Sequence, residues 1–323
     1  MATKRFIHAM RDGLIEEMRM DPTVFVMGED VKVGVFGISR GLIDEFGADR
    51  IRNTPISENV IAGATLGAAA SGMRPVADMM MANFLYLAME PLGNQASKLT
   101  YMTGGQIKMP AVFLAAQGAP GGNAAHHSES IHPILMNLGS LKVVYPTTPY
   151  DAKGLLKSAI RDNNPVVFLY HISLGGSSGE VPDEEFLVPI GKGEIKKEGS
   201  DVTVVAMGLM VRHSLKVAGK LEKEGISVEV IDPRSLVPLD TDIIINSVKK
   251  TGRLVVVDEA RQFCSAASEI SACVSENAFG SLKSPILRVT TPNLPIPFSP
   301  PLETHVVPNV EKIDEAIRKV LVY

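Results

Sequence analysis

Apolar residues in the first half of the chain follow two alternating periods. Between residues 4 and 19 they recur at near-helical spacing, which predicts an amphipathic helix. A short continuous apolar run then ends at Gly28, which is typical of a buried strand. Helices are predicted over 58–71, 85–102 and 149–161, and strands over 75–81, 110–116, 141–145 and 165–170. This alternation indicates a mainly parallel sheet that helices cover on both faces.

The alternation of helices and strands stops at residues 173–200. This segment is rich in Gly, Ser, Pro and acidic residues, a composition that is typical of linkers. After this break, strands are predicted over 202–207, 227–231, 254–257 and 286–289, and helices over 210–223, 241–250, 263–279 and 310–320. We therefore predict two open, mainly parallel-sheet α/β domains. They would span residues 1–175 and 201–323, with a linker at 176–200.

Composition narrows the functional classes. With 323 residues, 45% of them apolar and 21% charged, the chain is typical of a soluble globular protein of about two domains. The net charge is −4 and no long basic run occurs, which argues against nucleic acid as a partner. The longest weakly polar stretch, Val60–Met73, is shorter than the roughly 20 residues of a membrane span and predicts a buried helix.

The N-terminal segment and the cysteines bear on where in the cell the protein works. The N-terminal 20 residues are amphipathic, but they contain Asp12, Glu16 and Glu17, and transit peptides are poor in acids. We interpret them as the first helix of a cytoplasmic protein.

The two cysteines, Cys264 and Cys273, fall on opposite faces of one predicted helix. We therefore expect two buried, reduced thiols rather than a disulfide or a metal pair.

Several site signatures are missing from the sequence. There is no Walker loop, no nucleophile elbow and no His-Glu-x-x-His, and Gly191-x-Gly193 lacks the third glycine of a dinucleotide fingerprint. A nicotinamide oxidoreductase is therefore disfavoured. The Gly-Asp-Gly segment with a downstream Asn pair, which marks chains that hold a magnesium diphosphate, is absent too. If the protein uses a diphosphate cofactor, another chain must bind the phosphates.

One candidate site lies at Thr54–Glu58. Pro55 favours an extended Thr54, and either Thr54 or Ser57 can cap the helix that follows. Glu58 then lies in the first turn. It is either an acid that complements the helix dipole or a carboxylate held beside a buried cofactor.

Two more candidates lie in loops. A Gly-rich segment after a predicted strand leads to His126 and His127, a position where open α/β sheets bind ligands. One catalytic histidine in this loop is favoured over a metal site formed by both histidines. The alternative is a plain surface loop. His132, five residues further on, is expected to be structural.

The other candidate is Ala159–Pro165. Its helix-end carbonyls and the Asp162 and Asn164 oxygens suit a hard cation, or form an ordinary helix end and turn.

Together these stretches resemble one family, the β-subunits of the thiamine-diphosphate-dependent first component of 2-oxoacid dehydrogenase complexes. That family includes the pyruvate, branched-chain 2-oxoacid and acetoin dehydrogenases. The resemblance runs almost end to end. Its motifs lie at Gly28–Val31, Asn53–Glu58, Gly72–Pro75, Asn94–Lys98, Tyr101–Gly105, His127–Ser128, Leu141–Val144, Tyr150–Leu156, Ala159–Pro165, Thr251–Glu259 and Pro295–Ser299.

The resemblance implies a transketolase-like pyrimidine-binding domain followed by a transketolase C-terminal domain. It implies a heterotetramer of two α and two β chains, in which the α-subunit holds the diphosphate and magnesium. The activity implied is cleavage or decarboxylation of a small substrate. The acyl group would pass to the lipoyl groups of a dihydrolipoyl acyltransferase.

The resemblance also implies roles for individual residues. Glu58 matches the glutamate that hydrogen-bonds N1′ of the aminopyrimidine and so promotes loss of the thiazolium C2 proton. Phe84 matches the aromatic residue that packs on the pyrimidine ring, and His127 matches the histidine that faces the substrate and lipoyl channel. The family's potassium site falls on Ala111, Ala159, Ile160, Asp162 and Asn164.

The chain departs from the family pattern around the substrate channel. It has His126 and Glu129 where glutamines are usual, Glu90-Pro91 in place of Asp-Gln, and Ala115 in place of an arginine. The second domain looks most like the acetoin type, but pyruvate and branched-chain 2-oxoacids stay open as substrates. Two other functions also stay open. They are a catalytically silent pairing subunit and one half of another transketolase-like thiamine-diphosphate enzyme.

Overall fold

A computed structural model describes all 323 residues, which form two compact units. Unit 1 comprises Met1–Gln117 and Ile134–Ile190, and unit 2 comprises Gly118–Pro133 and Gly191–Tyr323. The strands are β1 (Ala2–Arg5), β2 (Val24–Gly28), β3 (Ile51–Asn53), β4 (Arg74–Met81), β5 (Val112–Gln117), β6 (Lys142–Val144), β7 (Val166–His171), β8 (Ser178–Val181), β9 (Glu194–Lys197), β10 (Val202–Ala206), β11 (Val228–Asp232), β12 (Ser235–Val237), β13 (Leu254–Arg261) and β14 (Leu287–Thr291).

The helices alternate with these strands. They are α1 (Phe6–Met20), α2 (Leu42–Phe46), α3 (Glu58–Ala70), α4 (Leu99–Met102), α5 (His132–Met136), α6 (Pro149–Arg161), α7 (Leu209–Glu222), α8 (Thr241–Thr251), α9 (Ala266–Ala278), α10 (Pro300–Val306) and α11 (Val310–Leu321). Short 3₁₀ turns lie at Ala82–Ala88, Ala125–His127, Ile172–Leu174 and Phe279–Ser281, and a π-helical turn lies at Pro91–Ala96.

Unit 1 is built on a parallel sheet in which its strands follow the order β6-β7-β5-β4-β2-β3. Every residue of β2, β5 and β7 is buried, because helices cover both faces of the sheet. Strands β1 and β8 form a separate antiparallel ribbon. The predicted parallel α/β fold is thus confirmed for this unit.

Helices α1 and α6 of unit 1 are joined by buried charges. Lys153 and Lys157 are almost fully buried, and each Nζ lies 2.6 Å from a different carboxylate oxygen of Glu16. Gly13 lies where a Cβ would be 3.2 Å from the Lys153 carbonyl, so the two helices approach closely there. The Lys157 Nζ also lies 3.8 Å from a Glu17 carboxylate oxygen, so two carboxylates face the two ammonium groups and the lysine stems can pack in the interior.

Unit 2 contains the second sheet, with strand order β14-β13-β10-β11-β9. All pairs are parallel except β9 with β11, which is antiparallel. Valines dominate its core, as expected for strands buried on both sides, and α7 and α11 pack on the same face of the sheet. The second predicted α/β domain is therefore confirmed as well.

The structure differs from the sequence predictions in several places. The single helix predicted over 85–102 is divided into the 3₁₀ turn, the π-helical turn and α4, because Pro91 lacks the N–H of a continuous helix. Two short strands, β8 and β9, lie within the predicted linker. Neither cysteine is buried, since Cys264 is exposed ahead of α9 and Cys273 is half-buried on it; both thiols are free.

None of the helices is both long enough and apolar enough to cross a lipid bilayer.

Candidate functional site

The carboxyl edge of the unit 1 sheet gathers acidic and hydroxyl groups. Gly28, the last residue of β2, pairs with Asp78 of β4, and a Cβ on Gly28 would lie only 2.4 Å from the Asp78 carbonyl oxygen. Glycine is therefore required at residue 28, and it brings the following Glu29 beside β4. Because parallel strands end at one edge, Tyr170 near the end of β7 reaches the same region.

The electrostatics of this edge are set by burial. Burial raises the pKa of Asp78 to about 6; the Met80 N–H, which donates to Asp78 at 3.0 Å, opposes this rise and the charge of Glu29 adds to it. Burial and then the Asp78 charge also raise the pKa of Tyr170, whose buried hydroxyl has no hydrogen-bond partner. Burial, Asp30 and Glu58 raise the pKa of Glu29. Protons are therefore held at this edge more tightly than by free carboxyl groups.

Glu58 begins α3 and is only 8% exposed. Ser57 occupies the N-cap position, but its side chain makes no capping hydrogen bond, and the buried Thr54 hydroxyl has no partner. The predicted side-chain cap is therefore wrong. The Glu58 carboxylate itself accepts no hydrogen bond within the chain and acts electrostatically on Glu29. A buried, unpartnered acceptor of this kind fits a ligand that carries a donor.

Phe84 lies in the 3₁₀ turn that follows β4 and is half-buried. This turn packs against α3, and the Asn59 side-chain amide donates to the Leu87 carbonyl at 3.4 Å. Glu58 and Phe84, which the sequence assigns to one cofactor, therefore lie on neighbouring elements of unit 1. An aromatic face and a carboxylate acceptor are the groups that an aminopyrimidine needs.

His127 lies in unit 2, in the exposed turn Ala125–His127 that also contains His126. His132 differs from both, since it is fully buried with its Nε2 3.1 Å from Asp258 Oδ1. Burial alone would raise the pKa of Asp258, but the charge and hydrogen bond of His132, together with two backbone N–H groups, hold that pKa below its usual range. His132 is therefore placed as a structural residue.

The five residues assigned to potassium come together around the end of α6. The Arg74 guanidinium donates to the carbonyls of Ile160 at 2.8 Å and of Asp162 at 3.0 Å. One carboxylate oxygen of Asp162 pairs with Lys142 and the other accepts from Asn164. Burial would raise the Asp162 pKa, but these partners lower it. Ala111 joins this group because the segment before it is bonded to the α6–β7 turn.

The donor set of this region fits a hard cation, since all of its potential ligands are oxygens. A guanidinium already interacts with two of the carbonyls, so they are turned towards positive charge. No group of three or more His, Cys, Asp or Glu residues that could hold a metal occurs in the chain. Backbone carbonyls would therefore have to supply most of the coordination.

Helix α3 is buried along one face only. Val60 is 64% exposed, and a Cβ on Gly63 or Gly67 would meet no atom within 4 Å. The exposed face of α3, defined by Val60, Gly63 and Gly67, is therefore smooth and apolar. The buried helix predicted from the sequence is thus buried on one face in the single chain, and its other face is open.

Sequence reasoning missed four residues of these regions as functional candidates. They are Asp78 and Tyr170 in unit 1, and Glu259 and Glu303 in unit 2, which hold the segment that carries His127. Asp78 had a signal, because a carboxylate inside an apolar strand is rare. The other three had none, since their roles depend on contacts with residues distant in the sequence.

Comparison with known proteins defines the class. Residues 3–176 match the transketolase pyrimidine-binding domain, and residues 191–313 match the transketolase C-terminal domain. A split-gene transketolase, described as an inactive β4 tetramer, has the same fold, with a TM-score of 0.80 over 98% of both chains at 24% identity. The chain is thus a two-domain protein of transketolase type.

Relatives define the family more closely. The chain is 44% identical to the β-subunit of acetoin:2,6-dichlorophenolindophenol oxidoreductase of Cupriavidus necator, over 97% of this chain and 96% of that protein. It is 43% identical to the pyruvate dehydrogenase E1 component β-subunit and 41% identical to the 2-oxoisovalerate dehydrogenase β-subunit of Bacillus subtilis, each over 99% of both chains. The chain belongs to this family of dehydrogenase β-subunits, which confirms the family indicated by the sequence.

The pKa of Asp78 gives a testable pH dependence. Because its native pKa of about 6 lies above the ordinary value, the folded state binds the proton more tightly, and stability falls as pH rises from about 4 to about 6. Asp78→Asn is neutral and keeps an acceptor for the Met80 N–H. It should raise the free energy of unfolding by about 2–3 kcal/mol at pH 7.5, with little effect below pH 4.

Denaturant unfolding at several pH values measures this difference. Asp44→Asn serves as the control, because Asp44 is an exposed carboxylate of the same unit. If the Asp78→Asn and wild-type stabilities stay parallel across this pH range, Asp78 does not titrate as the structure indicates.

Proposed function

We propose that this chain is the β-subunit of a thiamine-diphosphate-dependent dehydrogenase that works together with an α-subunit. It cleaves acetoin or decarboxylates a 2-oxoacid and passes the acyl group to lipoyl groups of a dihydrolipoyl acyltransferase. Family membership supports the reaction class, and relatives named for acetoin, pyruvate and 2-oxoisovalerate set the range of substrates. The observation that carries the proposal is the buried, unpartnered carboxylate of Glu58.

The residues of unit 1 suit the pyrimidine half of the cofactor. When bound, thiamine diphosphate supplies a carbon nucleophile and an electron sink for the bond that breaks next to the substrate carbonyl. Glu58 accepts a hydrogen bond from N1′ and holds a proton there, and Phe84 packs against the ring. Glu58 is only 8% exposed, and a hydrogen bond in such a largely buried place is stronger than one in water.

His127 is the group of this chain that we assign to the substrate. Its turn is exposed, so the imidazole can reach a bound ligand and exchange protons with it. His126 and Glu129 stand beside it where the family usually has glutamines, and we propose that they adjust the choice of acyl group. Glu90, Pro91 and Ala115 are further departures of this kind.

The α-subunit supplies what this chain lacks. No diphosphate and magnesium motif occurs in the sequence, so the partner binds the phosphates and the magnesium ion. The exposed face of α3 suits a close helix–helix contact with another chain, since glycines let backbones approach. We place this contact within a heterotetramer of two α and two β chains.

Potassium is proposed at the oxygens of Ala111, Ala159, Ile160, Asp162 and Asn164. The cluster of carbonyls and the carboxylate of Asp162 support it, and the ion would share these oxygens with Arg74 and Lys142. Two other predictions from the sequence stay predictions. They are the domain limits at 1–175, 176–200 and 201–323, and the cytoplasmic location.

Glu58→Gln should leave folding and assembly intact and slow the exchange of the cofactor C2 proton by about 10²–10⁴-fold. Glutamine keeps the size of the side chain but cannot hold a proton at N1′ as a carboxylate does. Proton–deuteron exchange at C2, measured in the assembled complex with bound cofactor, is the readout. Calorimetry with the cofactor and magnesium checks that binding is retained.

Glu269→Gln is the matched control for this substitution, because Glu269 is an exposed acid in the first turn of α9. It should change neither exchange nor binding. If the cofactor C2 proton exchanges as fast in the Glu58→Gln complex as in wild type, Glu58 has no catalytic role. A catalytically silent pairing subunit then becomes the better hypothesis.

Gly67→Leu should weaken assembly with the cognate α-subunit by about 5- to 150-fold, the effect of about 1–3 kcal/mol of overpacking in an interface. The isolated chain should stay at least as stable as wild type, because a Cβ at this exposed position meets no atom of its own chain and leucine favours helix more than glycine does. Analytical ultracentrifugation of the co-expressed subunits measures the loss. Gly219→Leu on α7, where a Cβ also meets nothing within 4 Å, is the control. Equal assembly of the two variants would move the interface away from α3.

Asp162→Ala should lower the melting temperature more in potassium than in sodium, because a cage suited to the larger cation loses a ligand. Asp44→Ala is the control, since Asp44 is an exposed carboxylate of unit 1 that is not part of this cluster. Its effect should be the same in both salts. Identical wild-type melting temperatures in potassium and sodium would leave Asp162 with Lys142 and Asn164 as its only partners.

A further inference from the structure

The histidine loop, defined here as residues 118–129, is tied to unit 2 at several points. It closes on itself through the Gly118 N–H, which donates to the Glu129 carbonyl at 3.2 Å. His126 and His127 lie in the short turn near its end and are both exposed. A Gly-rich loop has high conformational entropy, so its geometry depends on such anchors.

Glu303 of α10 is the most specific of these anchors. It is only 4% exposed, and each of its carboxylate oxygens accepts one backbone N–H of the loop. The Gly121 N–H donates to Oε1 at 2.6 Å, and the Gly122 N–H donates to Oε2 at 2.8 Å. Two hydrogen bonds to a buried, charged group are stronger than two between neutral groups.

The loop backbone is shaped to reach this carboxylate. Gly121 and Gly122 have φ values of 105° and 108°, in the region that favours glycine. A Cβ on Gly122 would lie 3.3 Å from the Phe298 carbonyl oxygen and 3.3 Å from Pro300 Cγ. The loop therefore packs tightly against the segment that leads into α10, and no larger residue fits without movement.

A second set of anchors comes from the end of β13. Glu259, 7% exposed, accepts the Ala119 N–H at 2.5 Å, and Arg261 forms an ion pair with Glu129. The two sets together hold the loop on both sides of its exposed tip. Asn123, Ala124 and Ala125 alone separate the Glu303 contact from the two histidines.

We propose that Glu303 is a positioning residue that fixes the place of His127 through the backbone of the histidine loop. This inference rests on the role proposed for His127. A carboxylate is required because two N–H groups need two acceptor oxygens. Glutamine offers one oxygen, and its NH₂ group would face the second N–H, so Glu303→Gln should free one side of the loop.

Hydrogen exchange and kinetics of the assembled complex test the proposal. In Glu303→Gln, amide exchange at Gly121 and Gly122 should become about 10- to 100-fold faster, as expected for the loss of a hydrogen bond to a charged acceptor. Turnover should fall about tenfold, while C2 proton exchange and assembly stay as in wild type. Glu311→Gln, at an exposed carboxylate in the first turn of α11, should change none of these.

A double-mutant cycle separates positioning from a general loss of stability. If Glu303 acts through His127, Glu303→Gln should cost no further activity in a His127→Asn background. Additive losses, or wild-type protection of the loop amides in Glu303→Gln, would overturn the proposal. If Glu303→Gln does not fold, Gly122→Ala displaces the same contact from the loop side and should give the same exchange and non-additivity.

Failure of the proposed function would look different. A wild-type complex that showed no C2 exchange and no turnover would sink the thiamine role, whatever the loop amides did. Normal C2 exchange together with unchanged loop protection would sink only the positioning role of Glu303.

Discussion

A parallel sheet that is covered on both faces fixes the chemistry of unit 1. Its strands run in one direction and end at one edge, so their last residues must share a small space away from bulk water. Gly28 and Asp78 meet there so closely that no side chain fits on residue 28. The same shielding keeps a proton on Asp78 up to about pH 6 and leaves the Tyr170 hydroxyl unpartnered. The first turn of α3 then adds the largely buried side chain of Glu58, whose charge acts on Glu29.

Unit 2 supports the proposed chemistry in a different way. Its contribution is a loop, and the loop is held by carboxylates rather than by apolar packing. Glu259 and Glu303 are nearly buried and accept backbone N–H groups, which are the donors that a Gly-rich segment has in excess. The buried pair of His132 and Asp258 stabilises the end of the same segment. The exposed histidines thus lie in a loop whose backbone is held by several hydrogen bonds.

The end of α6 collects positively charged side chains because of its own partial charge. The last carbonyls of a helix carry partial negative charge and need donors or cations. Arg74 and Lys142 supply both from within the chain, and their contacts with Ile160 and Asp162 join α6 to neighbouring strands of the sheet. A potassium ion proposed here would share these oxygens with the two cationic side chains.

The sequence by itself determined the two α/β domains, the family and the identities of Glu58, Phe84 and His127 as candidates. The domains follow from periodicity, and Glu58 and His127 from a helix start and a Gly-rich loop, which are properties of neighbouring residues. The family and the choice of Phe84 follow from the resemblance to known β-subunits. The division of the 85–102 segment, the missing side-chain cap at Ser57 and the open face of α3 were decided by tertiary structure, as were the anchors Glu259 and Glu303. Each depends on which distant groups come into contact or stay apart. A hydrogen bond from Gly121 to Glu303 leaves no pattern in the sequence, since the two residues are 182 positions apart and meet only in the folded unit 2.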